Sequence, residues 1–166
     1  MTPLSFIKIA EQVAAMSKDP STKVGALILG PNLEIRATGW NGFPRGVEDS
    51  PERLNDRPTK LKFTAHSEAN AITNAARSGV STDGCSLLVT ALHPCGDCAK
   101  IIIQAGIKKV YAPLPEIDGR WADSFEVAAT MFREAGVSVE FYDAPEKSVI
   151  QDRPYLRPAV LSSPIP

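Results

Sequence analysis

Two short motifs supply the residue types needed for metal-assisted hydrolysis. His66 and Glu68 are separated by one residue, and Pro94 begins a Pro-Cys-x-x-Cys run that contains Cys95 and Cys98. One imidazole and two thiolates suit a catalytic zinc site, which uses three protein ligands and keeps a fourth position open. Glu68 then remains as a free carboxylate that can move protons. The chain has only two histidines and three cysteines, and three of these five side chains fall in the two motifs.

Each motif lies at the predicted start of a helix. The alanine-rich segment 66–78 stops at Gly79, and the segment 95–105 stops at Gly106. Both patterns are typical of helices that end at a glycine. A helix N-terminus favours anionic side chains and lowers the pKa of a thiol. Two helix starts that face one point would therefore hold a metal and its thiolate ligands.

Other uses of the cysteines remain open at this stage. A Cys-x-x-Cys pair can be a redox pair, but that use assigns no role to the His-x-Glu motif. A structural zinc site would need a fourth protein ligand, for which Cys85 and His93 are the spare candidates. We expect Cys85, at the start of an apolar segment, to be a small core residue. We expect His93 to line the pocket or to stand behind it.

The remaining sequence predicts an α/β chain. Apolar spacing in 4–17 predicts an amphipathic helix, and 22–29 with 35–39 predicts a strand pair. The later elements alternate between strands and helices: strand 85–91, helix 95–105, strand 108–113, helix 121–135 and strand 137–142. Alternation of this kind predicts helices on both faces of a sheet. The polar connection 42–63 is long enough to be a functional lid.

Three longer stretches, 19–26, 39–46 and 98–111, resemble the cytidine and deoxycytidylate deaminases, most specifically the deoxycytidylate branch. The two motifs match the His-x-Glu and Pro-Cys-x-x-Cys signature of zinc-dependent nucleobase deaminases. The resemblance runs in order over about residues 3–142. It implies a cytidine-deaminase-like three-layer α/β/α sandwich with a five-stranded mixed sheet.

The same resemblance implies hydrolysis of dCMP to dUMP, which supplies a precursor of thymidylate. His66, Cys95 and Cys98 would bind the zinc, and Glu68 would carry protons from the zinc-bound water to the ring and to the departing ammonia. The implied substrate contacts are the phosphate at Ser21 and Lys23, the sugar or base at Asn41, and the base at the main chain around Ser67 and Glu68. Trp121, just before the last predicted helix, is either a core or interface residue or a wall of the substrate pocket, where His93 is also a candidate.

The chain also departs from the family pattern. Ser67 stands where alanine is usual, and His93 stands where a small polar residue is common. Longer relatives carry further cysteines and histidines for a structural zinc, whereas this chain lacks that set, so we expect one zinc per chain. The segment 40–46 resembles part of a region that binds regulatory deoxynucleoside triphosphates, and regulation of this chain is left open.

The amino-acid composition limits the kinds of molecule that this chain is expected to bind. Eighteen basic residues against nineteen acidic ones give a net charge of −1, whereas polymeric nucleic acid is held by a basic surface. We therefore expect a small nucleotide substrate and no polymeric nucleic acid. No signal peptide or membrane segment is visible, and free thiolates favour a reducing compartment, so we expect a cytoplasmic protein.

We expect residues 1–143 to form one deaminase domain, followed by a proline-rich tail at 144–166. Relatives suggest a homo-oligomer, either a hexamer or a dimer. Two alternatives to a dCMP deaminase remain: the same chemistry on another cytosine nucleoside, nucleotide or amino-heterocycle, and a non-catalytic module stabilised by zinc.

Overall fold

The computed structural model describes residues 2–115 and 119–143. A short 3₁₀ helix, Pro3–Phe6, leads into the first α-helix. The helices in these ranges are α1 Ile7–Ala15, α2 Pro51–Asn55, α3 Arg57–Phe63, α4 Ser67–Arg77, α5 Gly96–Gln104 and α6 Ala122–Glu134. The strands are β1 Gly25–Leu29, β2 Ile35–Trp40, β3 Ser86–Val89, β4 Lys109–Pro113 and β5 Ser138–Tyr142.

The five strands form one mixed sheet in the order β2-β1-β3-β4-β5. Strand β1 is antiparallel to both of its neighbours, whereas β4 is parallel to β3 and to β5. Each parallel connection passes through a helix, α5 between β3 and β4 and α6 between β4 and β5, as crossover connections require. The predicted five-stranded mixed sheet is confirmed.

Helices cover both faces of this sheet. One core is formed where α4, α5 and α6 pack on the first face, with Ala75, Ile102 and Phe132 fully buried. On the second face, α1 packs against another set of strand side chains through Ile7 and Ala10. Successive strand residues point to opposite faces, which explains why both faces of the strands are apolar. The α/β/α layering is confirmed.

The predicted helices and strands agree with the structure to within a few residues, but the connection 42–63 differs from the prediction. Its second half contains α2 and α3, each with a proline in its first turn. Ser50 and Asp56 cap these helices by accepting hydrogen bonds from main-chain N–H groups of Arg53 and Thr59. A proline in the first turn is compatible with a helix, because that N–H has no intrahelical partner.

None of the described helices is long and apolar enough to span a lipid bilayer. The proline-rich tail expected at 144–166 lies outside the described residues.

Candidate metal centre and its cavity

The two predicted helix starts bring three metal-ligating side chains together. His66 is the N-cap of α4, and Cys95 is the N-cap of α5. The ligand atoms of His66, Cys95 and Cys98 all lie within 4.8 Å of one another. His66 Nδ1 lies 3.3 Å from Cys98 Sγ and 3.5 Å from Cys95 Sγ. Such separations suit neighbouring ligands of a tetrahedral ion bound at about 2.0–2.3 Å, so the group fits zinc.

Strand β2 fixes the position of the first turn of α4. A Cβ atom added at Gly39 would lie 2.3 Å from the main-chain nitrogen of Ala71 and 2.4 Å from the carbonyl oxygen of Ser67. Any larger residue at position 39 would therefore push α4 away from the sheet. The glycine allows the close approach that sets His66 and Glu68 opposite the start of α5.

Glu68 is the buried carboxylate of this site, with 4% of its surface exposed. Burial raises the pKa of the Glu68 carboxyl above its usual range, and the nearby His66 and the Ser67 hydroxyl partly oppose this rise. The Ser67 hydroxyl donates a hydrogen bond of 2.9 Å to Glu68 Oε2. Since the three metal-ligating atoms come from other residues, Glu68 remains available for proton transfer.

The two thiols differ in their acidity. Hydrogen bonds from Cys98 and His66 lower the pKa of Cys95 to about 4, against the opposing effect of burial. The pKa of Cys98 is raised, because its thiol is hydrogen-bonded to Cys95 and is also buried. The hydrogen bond with Cys95 raises the pKa of His66 to about 9. His66 and Cys98 therefore carry protons that a bound cation would displace, whereas Cys95 already favours its thiolate form.

His66, Cys95 and Glu68 form part of the wall of a cavity. Both polar and apolar residues line it. The lining residues near the metal-ligating group in sequence are His66, Ser67, Glu68, Leu92, His93 and Cys95. Three cationic side chains also line the cavity: Arg57, Lys60 and Arg120.

Lys60 is a buried lysine in this wall, and its side chain is 7% exposed. Its Nζ donates to Asp19 Oδ1 at 2.9 Å and to Ser21 Oγ at 3.0 Å. Asp19 Oδ1 also accepts from the main-chain N–H groups of Ser21 and Thr22, at 2.7 and 3.0 Å. Burial would raise the pKa of Asp19, but these hydrogen bonds outweigh it and hold the pKa below its usual value.

Lys60 and its two cationic neighbours in the wall were missed by sequence analysis. Lysine and arginine are common in this chain, with eighteen together. Nothing in the local pattern distinguishes Lys60 from the exposed Lys62 in the same helix. Lys60 is buried only because α3 packs against the loop that carries Asp19.

The structure does not bring Lys23 to the cavity. Lys23 is exposed, and its Nζ lies 3.4 Å from the main-chain oxygen of Ala15. It is absent from the described residues that line the cavity. Its predicted contact with a phosphate stays a prediction.

Asn41 lines the cavity, but its carboxamide already bonds to the main chain. Asn41 Oδ1 accepts from the N–H of Val24 at 2.8 Å, and Nδ2 donates to the oxygen of Thr22 at 2.9 Å. In the structure, the side chain therefore holds the loop before β1 in place. A contact of Asn41 with sugar or base stays a prediction.

His93 and Trp121 both line the cavity. His93 is 4% exposed, and its Nδ1 lies 2.8 Å from the oxygen of Pro94. Its ring packs edge-on against Phe125 at a centroid distance of 5.3 Å. Burial lowers the pKa of His93 to about 4, so the ring is neutral at pH 7 and donates from Nδ1. Trp121 lies at the N-cap of α6, under the guanidinium of Arg120.

The first turn of α6 also contacts the start of α5. The main-chain N–H of Gly96 donates to Ser124 Oγ at 3.0 Å. Gly96 is the first residue of α5 and follows Cys95 directly. This hydrogen bond therefore connects α6, whose N-cap is Trp121, to the start of the helix that holds the metal-ligating thiols. Ser124 cannot be identified from the sequence alone, because a serine in a polar helix start has no distinguishing pattern.

The amino-acid sequence of this chain is similar to those of known deaminases. A family model described as the cytidine and deoxycytidylate deaminase zinc-binding region matches residues 2–113. An uncharacterized deaminase in the luxG 3′ region of Aliivibrio fischeri is 45% identical, covering 81% of this chain and 88% of that protein. Human deoxycytidylate deaminase is 40% identical, covering 82% of this chain and 76% of that protein.

A solved structure shows the same fold. The dCMP deaminase of cyanophage S-TIM5, in complex with dCMP and dUMP, superposes with a TM-score of 0.67 at 36% identity. The match covers 85% of this chain and 98% of the cyanophage chain. The likeness therefore extends over most of the chain, and the family-model match, residues 2–113, includes the helices that carry both motifs.

Proposed function

Because the chain belongs to the cytidine and deoxycytidylate deaminase family, we propose that it is a zinc-dependent enzyme that hydrolyses dCMP to dUMP and ammonia. The observation that carries this proposal is the meeting of three metal-ligating side chains near the buried carboxylate of Glu68. Two of the three, His66 and Cys95, line one cavity together with Glu68. Relatives named deoxycytidylate deaminase, and a structural match that binds dCMP and dUMP, support the choice of substrate.

His66, Cys95 and Cys98 would hold one zinc ion, since an imidazole and two thiolates match the ligands that zinc prefers. When bound, zinc lowers the pKa of its water toward neutrality and leaves one position open for that water. The low pKa of Cys95 favours its thiolate form, which is the form that ligates metal. No further ligand is needed from Cys85 or His93.

Glu68 would carry the protons of the reaction. Its carboxylate takes a proton from the attacking water while the water oxygen bonds to C4 of the ring, and it passes that proton to ring N3. Glu68 would then move the proton of the new C4 hydroxyl to the 4-amino group, the C4–N bond would break, and ammonia would leave with C4 as a carbonyl. Burial suits Glu68 for both steps, because a raised pKa brings a carboxyl closer to the working pH.

We place the substrate phosphate at Lys60 and Ser21, with Arg57 and Arg120 as the neighbouring cations of the cavity. A lysine ammonium has three N–H donors, and the contacts with Asp19 and Ser21 use two of them. The third can serve an anion in the cavity that Lys60 lines. Lys23, the cation first expected there, is exposed and lies outside this lining.

Several finer features belong to the same proposal. Ser67 would meet the base through its main chain, Asn41 the sugar or base through its carboxamide, and His93 and Trp121 would form pocket walls. We also propose a cytoplasmic homo-oligomer, because the ligating thiols need a reducing compartment and the resemblance implies a hexamer or a dimer. Deoxynucleoside triphosphates are its proposed effectors, and thymidylate synthesis would use its product.

The substrate is tested by measuring ammonia release from cytosine, cytidine, deoxycytidine and their mono-, di- and triphosphates. We expect the highest kcat/KM for dCMP, because the cationic wall matches a phosphate and the metal-ligating group matches deamination. Elemental analysis should find about one zinc per chain. A zinc-loaded protein that releases no ammonia from any of these compounds would refute the proposed activity, and a preference for the free nucleoside would refute the proposed phosphate contact.

A further inference from the structure

The hydroxyl of Ser67 has an unusual partner for the first residue of a helix. Ser67 is completely buried, and its Oγ donates to Oε2 of the next residue, Glu68, at 2.9 Å. The hydroxyl is therefore engaged with the carboxylate to which we assign the proton transfers.

The surroundings of Ser67 explain why this contact forms. The main chain of Ser67 is pressed against β2 at Gly39, where an added Cβ would lie 2.4 Å from the Ser67 oxygen. A hydroxyl buried in this way is left without water, and buried polar groups are normally hydrogen-bonded. The Ser67 hydroxyl donates to Oε2 of Glu68, so its hydrogen-bonding need is met inside the protein.

The contact leaves the two carboxylate oxygens unequal. Oε2 of Glu68 is occupied by Ser67, whereas the carboxyl also interacts with the Cys98 thiol of the metal-ligating group. A glutamate side chain has several rotatable bonds, and fixing them costs conformational entropy. A hydrogen bond from the adjacent residue fixes the carboxylate before a substrate arrives.

We propose that Ser67 is a positioning residue, which holds Oε2 of Glu68 so that Oε1 is directed at the water and the amino group of the substrate. This inference rests on the proposed function, because it needs Glu68 as the group that transfers protons. It assigns the Ser67 side chain a role in orienting the carboxylate, in addition to the main-chain contact with the base. The proposal concerns the position of the carboxylate and does not depend on its protonation.

The test compares Ser67→Ala with the unmodified zinc-loaded enzyme. Alanine is smaller and favours a helix, so the fold of α4 should persist. We expect kcat for dCMP to fall by about tenfold or more, because a misplaced reacting group costs rates of this order. KM and the zinc content should change by less than about twofold, since the substrate and metal contacts remain.

Thr82→Val is the matched control. It removes another hydroxyl, which donates to the main-chain oxygen of Ala105 at 2.7 Å and does not belong to the cavity lining. We expect kcat and KM of Thr82→Val to stay within about twofold of the unmodified enzyme. An equal fall of kcat in both variants would overturn the proposal, and so would a kcat of Ser67→Ala within twofold of the original.

A second measurement separates positioning from a general loss of packing. A pyrimidin-2-one deoxynucleotide 5′-phosphate lacks the amino group, so addition of water at C4 gives a hydrate that cannot release ammonia. The C4 hydroxyl of this hydrate stands in for the attacking water, as in a transition-state analogue. We expect Ser67→Ala to weaken this compound by about tenfold while dUMP binds as before, and to have no such effect when Glu68→Gln is already present. The same weakening in both backgrounds would mean that Ser67 acts through packing, and the proposal would be wrong.

The experiments distinguish a failure of the proposed deaminase activity from a failure of the positioning role of Ser67. If the unmodified enzyme does not release ammonia from dCMP, the proposed function fails, whatever Ser67 does. If the enzyme is active on dCMP but Ser67→Ala matches it in kcat, only the positioning role fails.

Discussion

The metal centre and the Lys60 cluster (Lys60, Asp19 and Ser21) line the same cavity, yet they are built in different ways. The metal centre uses rare residue types at short, fixed spacings, and each motif begins a helix. The Lys60 cluster uses one of eighteen cationic residues and joins positions 41 residues apart. Rare ligands in a motif can be recognised in a sequence, whereas a common cation becomes a binding group only through burial.

The two regions also differ in how their charge is balanced. In the metal centre, protons or a cation compensate the thiolates, so occupation by metal changes the charge of the site. In the Lys60 cluster the Lys60 ammonium is already paired with the Asp19 carboxylate. It also donates a hydrogen bond to the Ser21 hydroxyl. We therefore expect chemistry to depend on the first region and substrate affinity to depend on the second.

The largest effect should come from Glu68→Gln in the metal centre. The amide is nearly the same size as the carboxyl but cannot accept and return the proton, so kcat for dCMP should fall by about 10²–10⁴-fold. Zinc content should remain near that of the unmodified enzyme, because Glu68 is not among the three metal-ligating residues. Steady-state kinetics measure kcat, and elemental analysis measures the zinc content. Activity that survives the substitution would remove Glu68 from the mechanism.

An intermediate effect should come from Lys60→Met in the Lys60 cluster. Loss of one hydrogen bond to a charged group costs about 1.5–3 kcal/mol, which raises KM for dCMP by more than about tenfold. The effect on deoxycytidine, which has no phosphate, should be much smaller. Kinetics on both compounds measure the difference.

Lys62→Met is the control for this experiment, because Lys62 lies in the same helix but is exposed and is not among the cavity-lining residues described. Lys23→Met tests the residue first expected at the phosphate. If Lys23→Met rather than Lys60→Met raises KM selectively for dCMP, the assignment of Lys60 is wrong.

The smallest effect on activity should come from Asp19→Asn, which tests the stability of the Lys60 cluster. The pKa of Asp19 is below its usual value, because hydrogen bonds from Lys60 and two main-chain N–H groups outweigh burial. A carboxyl with a lowered pKa stabilises the fold above its unfolded pKa, and this contribution is lost as pH falls through the folded value. At pH 7 the variant should lose about 1–3 kcal/mol of unfolding free energy.

Urea unfolding of zinc-free protein at neutral and acidic pH gives the comparison. We expect the difference in unfolding free energy between Asp19→Asn and the original to shrink as pH falls below about 4. A difference that is constant with pH would show that the Asp19 carboxylate does not stabilise the loop through its charge.

Much of the fold could be predicted from local patterns. The helices at 66–78 and 95–105 were predicted from their glycine ends, and the structure has Ser67–Arg77 and Gly96–Gln104. The connection 42–63 was harder to predict, because α2 and α3 are short and rich in polar residues. Helices of five and seven residues are too short to be stable alone, so packing and caps decide whether they form.

The amino-acid sequence by itself determined the metal-ligating residues, the free carboxylate and the family, because these depend on residue types and short spacings that can be read along the chain. The tertiary structure alone decided which cation lines the cavity and which oxygen of Glu68 is held by Ser67. Both depend on how closely separate segments pack, α3 against the loop at Asp19 and α4 against Gly39 of β2. A charge or a hydroxyl acquires a specific partner only where such packing excludes water.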